Sequence, residues 1–106
     1  MRVPAVLAVA ATDNVVQACR KAVLSFTLAE IVRAQLDDAA TKAAKWRPFA
    51  FVIPEDTYQF DPQEFDELAR DVGALVVTIY SADAPVDELA EDLREALKQA
   101  FENRRD

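Results

Sequence analysis

Ala5-Val6-Leu7-Ala8-Val9-Ala10-Ala11 is continuously apolar, follows Pro4 and gives way to Thr12-Asp13. An uninterrupted apolar run of this length, rich in β-branched residues, is the signature of an inner parallel strand buried on both faces. It is too short to span a bilayer. With Arg2 before it, the run could mimic the apolar core of a secretion signal, but its start after Pro4 and its end in Thr12-Asp13 read better as a buried first strand. Thr12 or Asp13 can then cap a helix that carries Val15, Val16, Cys19, Ala22, Val23 and Phe26 at helical spacing.

The same alternation continues along the chain. Glu30-Ile31-Val32-Arg33 reads as a short strand or as a helical continuation, and the β-branched pair favours the strand. Leu36 to Trp46 is Ala-rich and predicts a helix with a thin apolar face. Arg47-Pro48 ends it, because the residue before proline avoids the α region. Phe49 to Ile53 is the next buried strand, closed by Pro54, and Pro54 to Phe60 reads as a loop. Pro62 to Val72 is a helix with both ends marked. Asp61 caps it, Pro62 suits its first position, Glu64 completes a capping-box spacing and Gly73 sits where a C-terminal cap needs positive φ. Phe60 and Phe65 have the spacing of a hydrophobic staple.

Ala74 to Tyr80 is a fourth strand, and Ser81 or Asp83 opens a last helix. Its apolar stripe is Val86, Leu89, Ala90, Leu93, Ala96, Leu97, Ala100 and Phe101. Acids crowd its start and Arg104-Arg105 its end, as the helix dipole favours. The order βαβαβαβα with short links predicts one α/β domain over residues 1–106: a three-layer parallel sheet of about four strands, (βα)4. Ligands of such sheets bind beyond the carboxyl ends of the strands, where the strand order reverses.

Composition narrows the function. Nineteen acids against twelve bases give a formal charge of −7, which disfavours nucleic acid and anionic membranes as partners. There is no histidine, so His-based catalysis and His-ligated metals are excluded. The single cysteine, Cys19, allows no internal disulfide, fits a reducing cytoplasm and lies on an apolar stripe as a core residue rather than a nucleophile. One glycine in the whole chain makes a phosphate-cradling loop implausible. No catalytic residue, cofactor or metal is expected, and an enzyme is the weakest of the functional readings.

At its landmarks the chain resembles a response-regulator receiver domain, a flavodoxin-like fold of bacterial two-component signalling. Val6 to Ala11 falls where that family has an apolar strand ending in two acids. Glu30 to Ala34 looks like its second strand, and Arg47-Pro48 to Ile53 like its Lys-Pro-led third. The resemblance covers roughly the first half, and the second half is about one βα unit short. Two alignments compete there. Leu75 to Ser81 is the fourth strand with the fifth lost, or Leu68 to Leu97 resembles the end of the family, with Gly73-Ala74 before the last strand and Ala84, before Pro85, in place of the family's lysine.

The resemblance implies a degenerate phosphorylation pocket: Ala10 and Ala11 in place of the metal-binding acids, Pro54 in place of the phosphoacceptor, and Ala84 in place of the lysine. Aspartyl phosphate needs a carboxylate nucleophile, and Mg²⁺ needs clustered oxygen ligands. These residues supply neither. Thr78 and Ser81 are weak candidates for the family's switch hydroxyl.

Asp13, Glu55 and Asp56 form a possible residual cleft at the carboxyl edge, against which stands their plain use as a cap and a solvated turn. Tyr58 is either an interface anchor or a cover for the strand ends. By resemblance, Tyr80 and the last helix (Val86, Leu93, Leu97, Phe101) are candidate interface residues, while periodicity assigns the helical stripe to the core. The expected function is a phosphorylation-independent pseudo-receiver that binds another protein or a second copy of itself. The alternative is a small-ligand or cation sensor in the vacated cleft.

Overall fold

Two runs with no polar residue, Ala5–Val9 and Ala50–Pro54, become the inner strands β1 and β3. The computed structural model of the protein describes residues 3–80 and 83–103. β1 lies between β3 and β2 (Glu30–Ala34), and β4 (Leu75–Ile79) flanks β3 on its far side. The order is β2-β1-β3-β4 and every pairing is parallel. Leu7 stands opposite Val32 on one side and Phe51 on the other, and Pro54 stands opposite Ile79. This is the flavodoxin-like order 2-1-3-4-5 without its outermost strand.

A parallel sheet needs both faces covered. Helices α1 (Asp13–Leu24) and α5 (Val86–Asn103) cover one face, and α2 (Ala39–Trp46) and α4 (Pro62–Val72) cover the other. A single-turn helix, α3 (Glu55–Tyr58), follows β3 directly. Side chains of β1 alternate between the layers. Val6 and Ala8 enter the α1/α5 cluster, and Leu7 and Val9 enter the α2/α4 cluster. The strand reads as uniformly apolar because each parity has its own core. Phe26, Phe49 and Phe101 pack at the start of β3, with ring centroids 5.5 and 5.3 Å apart along the series Phe26–Phe101–Phe49.

Helix ends follow local chemistry. Thr12, rather than Asp13, caps α1 by accepting the Val15 N–H at 3.3 Å. Asp61 accepts the Glu64 N–H at 3.2 Å, and Gly73 closes α4 at φ 75°. α4 occupies the range that its sequence marks predict.

Four local expectations are corrected. α2 begins at Ala39 rather than Leu36, because residues 36–38 form a turn. Asp38 closes that turn by accepting the Gln35 N–H at 2.7 Å, which lowers its pKa, helped by Lys42 at 3.2 Å. Arg47 ends α2 in the left-handed region, at φ 46°, rather than in the extended conformation expected before proline. There its N–H still reaches the Ala43 carbonyl at 2.8 Å. The predicted loop after Pro54 contains α3, and that turn sends Tyr58, not Phe60, toward α4. Tyr58 stacks on Phe65 at 6.3 Å, and Phe60 is 84% exposed, so Phe60 makes no staple. α5 begins at Val86, with the Pro85 carbonyl accepting the Leu89 N–H at 3.0 Å. Ser81 and Arg104-Arg105 lie outside the described residues. Among the described residues no helix is long and apolar enough to cross a membrane.

Candidate functional site

The strand order reverses between β1 and β3, so the switch point lies beyond Val9 and Ile53. Ala8 is level with Val52, and two residues further the same register brings Ala10 to the level of Pro54. The structure therefore places Ala10, Ala11 and Pro54 around one carboxyl edge. Ala10 turns the chain out of the sheet at φ 50°, a left-handed conformation unusual for alanine. Its N–H is held by the Ala34 carbonyl at 2.8 Å. Ala84 reaches the same edge from the β4–α5 connection, where its carbonyl accepts from Asn14 Nδ2 at 3.4 Å. None of these side chains carries a carboxylate, an amine or a hydroxyl.

The acids nearby are already engaged. Asp13 is paired with Arg33 at 2.6 Å, and the second guanidinium nitrogen of Arg33 donates to the Ala11 carbonyl at 2.8 Å. Arg33 thus bridges from the edge strand β2 across the end of β1. Glu55 accepts from Gln59 Nε2 at 2.7 Å, one helical turn away, and Asp56 accepts the Thr57 N–H at 3.0 Å. Asp13, Glu55 and Asp56 each have a local partner and are not gathered into one cleft. Among the described residues no group of three His, Cys, Asp or Glu is placed to hold a metal ion. Arg33 carries no functional role in the sequence reading, although one signal was visible: a base near the carboxyl end of a short strand, at the parity of the buried Ile31.

The candidate interface residues divide. Leu93 and Leu97 are fully buried between α5 and the sheet, and Val86 and Phe101 are half-buried against the same cluster. The stripe of α5 is spent inside the chain, which corrects the expectation that it offers an interface. Tyr58 is half-buried and its hydroxyl donates to Asp66 at 2.8 Å, and this bond is the main cause of its raised pKa. Tyr80 is 84% exposed. The two tyrosines line an open groove of about 650 Å³ along β4, shared with Asp66 and Arg70 of α4. Thr78 lines that groove too, away from the switch point. Cys19 is buried in the α1/α5 layer, and loss of water pushes its thiol up to about 12.

No family model, curated protein or solved structure matches this chain. Its architecture and its carboxyl edge are the observations from which a function is argued.

Proposed function

We propose that the chain is a pseudo-receiver, a module that works by protein–protein contact without phosphorylation. The observation that carries this reading is the switch point of the sheet. There Ala10, Ala11 and Pro54 stand together, Arg33 ties Asp13 to the Ala11 carbonyl, and Glu55 and Asp56 bond within their own turn. A phosphoryl group transferred to Ala10, Ala11 or Pro54 would meet no carboxylate to accept it, and among the described residues Mg²⁺ would find no cluster of oxygen ligands. The reading includes a cytoplasmic setting, supported by a lone thiol that sits in the core rather than in a disulfide. A cation or small-ligand sensor has less support, since Asp13, Glu55 and Asp56 are each bonded elsewhere.

The test is an amide NMR titration of the whole chain with Mg²⁺, then with beryllofluoride, followed by incubation with acetyl phosphate. The expected result is unchanged positions for Ala10 to Asp13, Glu55 and Asp56, and an unchanged mass. Shifts clustered at these residues, or a covalent phosphate, would overturn the reading.

A further inference from the structure

The two edges of the sheet are built differently. β2 carries Glu30 and Arg33, and Lys42 Nζ donates to the Arg33 backbone carbonyl at 2.8 Å. Charges on the strand and a side chain on its backbone are the usual guards against edge-to-edge pairing. β4 has neither. Its sequence, Leu75-Val76-Val77-Thr78-Ile79, contains no charge and no proline, and it pairs with β3 alone. The Leu75 N–H bonds the Phe49 carbonyl at 3.1 Å, which fixes the parity. Leu75, Val77 and Ile79 spend their backbone groups on β3, and Val76 and Thr78 turn theirs outward.

We infer that β4 is a homodimerisation edge, where a second copy of this chain adds its own β4 antiparallel across a two-fold axis at Val77. This rests on the reading of the chain as an interaction module and names its partner. With the axis at Val77, Val76 of one copy faces Thr78 of the other. These are the residues whose N–H and C=O groups point outward, so each such pair exchanges two hydrogen bonds. Val77 meets its own copy and Leu75 meets Ile79 on the α5 side, an apolar contact on both halves. The contact is isologous and closes, leaving no further β4 edge exposed.

Charge selects a second copy over an unrelated strand. The groove beside β4 is basic at one end and acidic at the other. Arg70 lies in the last turn of α4, close to the start of β4, and its guanidinium makes no hydrogen bond or ion pair among the described residues. Asp66 lies a turn earlier, and Glu55 follows β3 beside the end of β4. A two-fold axis reverses the groove, so Arg70 of each copy comes opposite Glu55 and Asp66 of the other. The same operation sets the exposed Tyr80 ring opposite Ala74 of the other copy, next to its Arg70, a cation–π arrangement.

Sedimentation velocity of the full chain from about 1 µM to about 1 mM tests this. It is combined with hydrogen exchange and with circular dichroism as a check on folding. The expected result is a reversible dimer in which the Val76 and Thr78 amides gain protection as concentration rises. Arg70→Glu should weaken the dimer at least about tenfold by setting acid against acid, and Arg70→Glu combined with Glu55→Arg should recover much of that loss. Both variants change exposed or half-exposed groove positions and leave the core intact. A monomer at every concentration would overturn the inference, as would a dimer with unprotected Val76 and Thr78 amides, or one indifferent to both variants. Uptake of phosphate from acetyl phosphate would instead remove the pseudo-receiver reading while leaving the edge pairing standing.

Discussion

Cys19 has no exposed surface, and burial pushes its thiol from an ordinary value of 9.0 up to about 12. At pH 8 such a thiol is ionised in about one molecule in 10⁴, against about one in ten for an unperturbed group, and only the thiolate attacks a disulfide. A small aromatic disulfide reagent must therefore wait for the protein to open. At ordinary domain stabilities of about 5–15 kcal/mol the open fraction is below about 10⁻³. Labelling of the native protein at pH 8 should be slower than that of the urea-unfolded chain by at least about 10³-fold. The same burial links stability to pH. Below pH 9 the thiol is protonated in both states and contributes no pH dependence. Above pH 9 the unfolded chain ionises while the folded chain does not, so stability falls by about 1.4 kcal/mol per pH unit until pH nears 12. Between pH 9 and pH 11 this removes about 2–3 kcal/mol. The raised pKa of Tyr58 acts in the same direction above its ordinary value of 10.0. Urea titrations of the native chain and of Cys19→Ala, run in parallel across that range, isolate the thiol, since the variant keeps every other titrating group. Native labelling within about tenfold of the unfolded rate, or identical pH slopes for the two proteins, would refute the reasoning.

Two phenylalanines five positions apart should behave oppositely in urea melts. Phe65→Ala, at 6% exposure beneath the Tyr58 ring, should cost about 3–5 kcal/mol, and Phe60→Ala, at 84% exposure, should stay within about 0.5 kcal/mol. Equal losses would restore Phe60 as the staple. Gly73→Ala meets no atom within 4 Å, so its cost is that of the left-handed backbone alone, about 1 kcal/mol by urea midpoint, and Gly73→Asn should cost less. A larger loss would point to a contact that the open space around Gly73 does not show.

The sheet was legible because its inner strands are buried on both faces, and that condition writes itself into the chain as Ala5 to Val9 and Phe49 to Ile53 without a polar residue. α4 was legible because its ends use residues with one strong meaning each: an aspartate cap, a first-turn proline and a positive-φ glycine. The errors fall where the deciding contact is tertiary or where two local signals compete. Asp38 holds a turn that an Ala-rich pattern alone would have made helical. Phe60 and Tyr58 both lie within reach of Phe65, and only the extra turn of α3 decides that Tyr58 takes the contact. The apolar stripe of α5 reads as core by its periodicity, and only the resemblance offered it as an interface. Its burial of Leu93 and Leu97 follows from the sheet needing a second helix beside α1. The Arg33 bridge joins residues 22 positions apart, a pairing that no local pattern encodes.

The architecture also limits where a partner can bind. Both faces of a four-stranded parallel sheet are occupied by helices, and the helices present charged outer surfaces, which are poor anchors for tight contact. The carboxyl edge, where such sheets ordinarily take ligands, offers alanine and proline and is bridged by Arg33. The β2 edge is guarded by Glu30, Arg33 and Lys42. Along the β4 edge, the backbone of Val76 and Thr78 and the groove between Tyr58 and Tyr80 remain unspent. A parallel sheet that stops at its fourth strand leaves that edge bare, and an apolar bare edge in a folded protein is either covered or a hazard. A chain that kept it bare through chance would be expected to aggregate. A chain that uses it needs a partner whose groove matches its own arrangement of one base and two acids, and a second copy supplies that match without any further residue.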